Sequence, residues 1–182
     1  MKQINKYINE RLHINKDIDS YNYHPKTIDE LKKIVKKLIK ERGNDSDLND
    51  IDTSKITDMT GLFFYSNFNG DISKWNVSNV TNMRCMFAHS KFNGDISNWD
   101  VSNVETMYGM FEYSSFTGEN GDISNWDVSN VKNMNGIFYQ SSFNGDISKW
   151  DVSNVEYMDD MIEGTSLEKN QLEIYQNGMY RM

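Results

Sequence analysis

The 182-residue chain sets 27 Asp and Glu against 19 Lys and Arg, a formal charge of −8, with 37% apolar and 13% aromatic residues and one proline. That suits one globular domain or a short capped repeat array, and the aromatic content with the single proline speaks against a disordered low-complexity chain. Residues 1–42 carry eleven basic and six acidic side chains and the remainder eight and twenty-one, an acidic majority that argues against nucleic acid as the main partner.

The opening MKQINKYINERLHINKD has no apolar run able to serve as a signal-peptide core, and no later window approaches the ~18 consecutive apolar residues of a membrane span. The single cysteine, Cys85, excludes an intrachain disulfide and fits a reducing compartment. As it stands the sequence is expected to be cytoplasmic; a cell-surface or virion location would need a removed leader or another route.

Ile4, Tyr7, Ile8 and Leu12 predict a short first helix, and a polar loop runs from His13 to Pro25. A second helix follows over 27–42: Thr27 with Glu30 forms a capping box, Ile28, Leu31, Ile34, Val35 and Leu38 line one side, and Gly43 ends it. Lys32, Lys33, Lys36, Lys37 and Lys40 read as its solvent face. Residues 1–46 are thus expected to be an N-terminal helical cap.

Beyond it the chain repeats itself. The tryptophans stand at 75, 99, 126 and 150, and the longer middle interval comes from FTGENGDIS at 116–124 where other copies read FNGDIS, an insertion that belongs in a turn. Five repeats begin at Asp47, Asp71, Asp95, Asp122 and Asp146, the first with Ile51 in the tryptophan position and the last with Ile162 and Leu167 replacing phenylalanines. They occupy 47–167, and 168–182 is left as a C-terminal cap or tail.

Within a copy, the spacing of Ile72, Trp75 and Val77 predicts a short strand centred on W-x-V. Val80, Met83, Met86 and Phe87 then fall at helical spacing, with Ser78 as N-cap and capping boxes at Ser102/Glu105 and Ser153/Glu156. Phe92 turns the chain inward and Asn93-Gly94 supplies a turn tolerant of positive φ. The expected fold is therefore an α/β repeat: a short leucine-rich-repeat-like solenoid of five turns, with a parallel strand strip and the helical cap at its N-terminal end.

At these residues the chain resembles the BspA-like leucine-rich-repeat surface protein family, whose repeats read much like W-D-V-S-N-V-T-x-M-x-x-M-F-x-x-x-x-F-N-x-D-I-S. The resemblance covers 47–167, with Trp, Ser-Asn-Val, Met, Phe and Asp-Ile-Ser recurring in phase, and HPKTIDELKKIVKKLIKERG looks like the lead-in to such repeats. It implies a binding or adhesion module of bacterial surface proteins, or of phage- or virus-encoded relatives, without catalytic residues.

The polar neighbours of Trp and Val should form outward columns: Asp52, Asn76, Asp100, Asp127 and Asp151 in one, Asp50, Lys74, Asn98, Asn125 and Lys149 beside it. The expected binding face comprises Asp52, Lys74, Asn76, Asn98, Asp100, Asn125, Asp127, Lys149 and Asp151. Stacked carboxylates could hold calcium, but acids bonded to local backbone N–H groups are the favoured reading, and no metal or cofactor is expected. Asp71, Asp95, Asp122 and Asp146 read as turn residues, and Ser78, Ser102, Ser129 and Ser153 as caps rather than nucleophiles. His13, His24 and His89 share no ligand spacing, and Cys85 aligns with Gly61, Gly109 and Gly136, a place for a small residue at a close approach.

The expected function is a non-enzymatic protein-binding module of surface or adhesion type presenting an acidic face to a protein partner. The alternative is a small intracellular binder or inhibitor encoded by a phage or mobile element. An enzyme is disfavoured for want of a nucleophile with a base, a phosphate loop or a ligand cluster.

Overall fold

The computed structural model describes residues 21–167. The expected first helix, His13 and the C-terminal segment 168–182 lie outside the described residues.

Helix α1 (Ile28–Arg42) forms where its signals stand. Thr27 Oγ1 accepts the Glu30 N–H, Glu30 Oε2 accepts the Lys26 N–H at 2.7 Å, and Asp29 and Glu30 sit favourably at the positive end of the helix dipole. Gly43, at φ 94°, stops it and returns its N–H to Ile39 O. Leu31, Val35 and Leu38 are buried and join one continuous core with Leu48, Ile51, Phe63 and the repeats beyond.

The expected strand strip is not there. Among the described residues there is one helix and no strand or sheet, only six isolated parallel bridges, so the chain is not an α/β solenoid of leucine-rich-repeat type. The reason lies in where the backbone donors go. In the second repeat the Ser73 N–H donates to Asp71 Oδ1, the Trp75 N–H to Ile72 O, the Ser78 N–H to Asn76 Oδ1 and the Val80 N–H to Val77 O. Those N–H groups close tight turns on either side of W-x-V, and neighbouring coils are left with isolated bridges in place of a ladder.

The expected helical turn after Ser78 is also absent, and Ser78, Ser102, Ser129 and Ser153 cap nothing. Residues 83–90 instead form successive turns in which donors alternate. The Met86, Ala88 and Ser90 N–H groups bond three residues back, while those of Met83, Cys85, Phe87 and His89 donate to Thr106, Tyr108, Met110 and Glu112 of the next repeat. Cys85 and His89 take φ of 51° and 56°, which no right-handed helix accommodates. Cys85 therefore shares its column with Gly61, Gly109 and Gly136 because the backbone is left-handed there, a stronger reason than the close approach expected from size.

Each repeat thus lies on the next as a coil of turns, its inward side chains stacked in register. Phe63, Phe87, Phe111 and Phe138 form a buried column with ring centroids 5.4, 5.5 and 5.6 Å apart. Every tryptophan Nε1–H reaches a carbonyl of the preceding coil, as from Trp75 to Leu48 O at 2.9 Å and Trp150 to Ile123 O at 3.0 Å. Asn79, Asn103, Asn130 and Asn154 do the same with their side-chain amides, at 2.7–2.8 Å. Gly94 and Gly121, by contrast, are glycine for space: a Cβ on Gly121 would lie 2.8 Å from Ile96 N. Asn93-Gly94, expected as a turn tolerant of positive φ, makes no use of that tolerance.

Candidate functional site

The coils expose two quite different surfaces. The first holds the columns expected to bind. Lys74, Asn76, Asn98, Asp100, Asn125, Asp127, Lys149 and Asp151 are exposed there, with Asp52 half-buried at the α1 end. The acids of the Asp100 column are used by their own turns: Asp100 Oδ1 accepts the Ser102 N–H at 3.1 Å and its hydroxyl at 2.6 Å, and Asp127 treats Ser129 alike. The Ser129 hydroxyl and N–H hold the Asp127 carboxyl below its ordinary pKa. Asn76 bonds Ser78 in the same way, so the position needs a short side-chain carbonyl and not a charge. The corner acids Asp71, Asp95, Asp122 and Asp146 repeat this with Ser73, Ser97, Ser124 and Ser148.

At the first coil the two columns are covered. The segment around Tyr23 lies along Ile51 in a parallel bridge, and Arg42 grips Asp50 with both guanidinium nitrogens at 2.9 Å, while Asn22 Nδ2 donates to the same carboxylate. The hydrogen bond from Arg42 is the main reason Asp50 titrates at about 2. Asp52 meets His24 Nδ1 at 3.5 Å. Asp50 and Asp52 thus tie α1 and its lead-in to the stack.

The second surface is built by the turns of residues 60–65 and their counterparts. Here the side chains change from coil to coil: Thr60, Arg84, Tyr108, Asn135 and Asp159 in one row, and Tyr65, His89, Tyr113, Gln140 and Gly164 in another. Tyr65, His89, Tyr113 and Gln140 all hold φ between 51° and 56°, where glycine is at ease, as Gly164 illustrates in the last coil. Their side chains make a ladder in which His89 stacks between Tyr65 at 4.4 Å and Tyr113 at 4.8 Å, with Tyr139 edge-on to Tyr113. Phe64, Tyr65 and Tyr113 are 50%, 66% and 47% exposed on this side.

Beside the ladder, Tyr108, Glu112, Asn135, Gly136, Tyr139, Asp159 and Asp160 enclose an open hollow of about 470 Å³ across the third to fifth coils. One of its lining residues, Gly136, is held at φ 60° and has no side chain to fill the space. On the Tyr108 ring lies the guanidinium of Arg84, its carbon 4.6 Å from the centroid. None of these residues was among the expected site. The signal that finds them is divergence between copies: Thr, Arg, Tyr, Asn and Asp follow one another at a single repeat position, whereas the Asp100 column varies only between Asp and Asn.

Cys85 is a half-buried free thiol whose pKa is raised, burial outweighing the Arg84 charge. No group of three or more His, Cys, Asp or Glu able to hold a metal ion occurs among the described residues, and no described helix is long and apolar enough to cross a membrane.

The sequence profile of one protein family, described as "Mycoplasma protein of unknown function, DUF285", matches residues 29–120 and 114–177, which together span most of the chain. No curated protein and no solved structure matches it.

Proposed function

The chain belongs to this DUF285 family of Mycoplasma proteins, and from its surface we propose that it is a non-enzymatic protein-binding module. The observation that carries the reading is the contrast between near-constant inward residues and a changing outward row: folding explains the recurring Trp, Val, Met and Phe and their apolar replacements such as Ile51, Ile137 and Leu167, but not why Tyr108 follows Arg84 or Asp159 follows Asn135. Divergent residues on a stacked-repeat scaffold suit recognition of one extended partner by several coils at once. The resemblance of the repeats to BspA-like surface proteins supports an adhesion-type partner. Catalysis is disfavoured because the reactive groups are occupied structurally: the Ser102 hydroxyl donates to Asp100, and His89 is held between two tyrosine rings.

Capture on the immobilised full chain, from lysate and from intact cells, tests the reading. A partner that is identified, purified and bound again with fixed stoichiometry supports it. Finding no partner in either material overturns it.

A further inference from the structure

We propose that the hollow lined by Tyr108, Glu112, Gly136, Tyr139, Asp159 and Asp160 is a receptor for an arginine side chain carried by a protein partner. The proposal rests on the binding reading and names the chemistry of its contact.

The carboxylates of the hollow differ from those elsewhere on the stack. Asp100, Asp127 and the corner acids accept N–H or hydroxyl protons from their own turns. Among the described residues no hydrogen bond or ion pair reaches the carboxylates of Glu112, Asp159 or Asp160. Their acceptor capacity is unspent, although they share one concave site. Asp160 holds its place at φ 55°, in a column where Gly61, Gly109 and Gly136 show that glycine serves the backbone equally well.

Charge complementarity demands a cationic occupant, and the walls select which kind. The three acids are not grouped closely enough to hold a metal ion. Tyr108 and Tyr139 add aromatic surface, which attracts a planar, weakly hydrated guanidinium more strongly than a compact ammonium or a hard cation. The protein already makes this contact once, since the guanidinium carbon of Arg84 lies 4.6 Å from the Tyr108 ring centre. A volume of about 470 Å³ admits an arginine together with the backbone that carries it.

The test is titration of the full chain with acetyl-Gly-Arg-Arg-Gly-amide, followed by calorimetry and by NMR of the Gly136 and Asp160 amides and the Tyr108 and Tyr139 rings. Saturable shifts at these residues are expected, weakened about tenfold or more when citrulline, the neutral isostere, replaces arginine. The triple variant E112Q/D159N/D160N should show the same loss, and Asp160→Gly, which relaxes the backbone and so keeps the fold, a partial one. The variant D100N/D127N/D151N removes equal charge from the other surface and should bind as the parent does. Equal loss in that variant, no saturable shift at the hollow, or saturation of the same residues by calcium alone would overturn the proposal. A captured protein partner insensitive to the triple variant would overturn it too while leaving the binding reading intact.

Discussion

The two outward surfaces of the stack carry similar acids and use them oppositely. Asp100 and Asp127 are exposed, yet their oxygens close the turns that shape W-D-V-S. Asp159 and Asp160, one coil end away, are equally exposed and close nothing. Exposure and charge therefore do not separate scaffold from site on a repeat protein; what the carboxylate bonds to does.

Substitutions in the scaffold should break this contrast most severely. Trp99→Ala removes a ring that is 4% exposed and a hydrogen bond to Ile72 O, and should cost about 3–5 kcal/mol in denaturant unfolding. Gly121→Ala pushes a methyl group against the backbone of the preceding coil and should cost about 1–3 kcal/mol by the same measurement. Gly136→Ala, with only the Tyr139 Cβ nearby at 3.5 Å, meets the left-handed penalty alone, about 1 kcal/mol.

The Arg42–Asp50 pair sharpens the comparison from the other side, being an outward carboxylate whose charge does stabilise. Folding lowers its pKa from 3.8 to about 2, so its contribution is complete above pH 4 and fades as pH falls through about 2. With Arg42 a third exposed, solvent screening limits the effect to about 1–2 kcal/mol, and Asp50→Asn should flatten that part of the acid limb of stability against pH. Smallest of all, Asp100→Asn should change stability by less than about 0.5 kcal/mol, because Asn76 already performs the same turn bond. A loss above 1 kcal/mol there would show that the column depends on charge, and the distinction between the surfaces would fail.

Legibility in the sequence followed the kind of interaction. Helix α1 was readable from Thr27, Glu30, Gly43 and the apolar spacing between them, because caps and periodicity are local. The inward set of Ile, Trp, Val, Met and Phe was readable because the copies agree on it. The strand at W-x-V and the helical turn after Ser78 were misread for one reason: apolar spacing tells which side chains point inward, not which backbone donors remain for a neighbour. Asp and Asn two residues before Ser were the available warning, since that pairing favours a side-chain turn over a ladder.

By itself, then, the sequence determined the 24-residue register, the buried columns and the helix at the N-terminal end, all of which follow from apolar periodicity and local capping. Only the tertiary structure decided that the coils join through alternating turn donors rather than strands, and that Glu112, Tyr139 and Asp160 share a hollow. Those groups belong to three different repeats, and no local pattern carries the distance between residues that only stacking brings together.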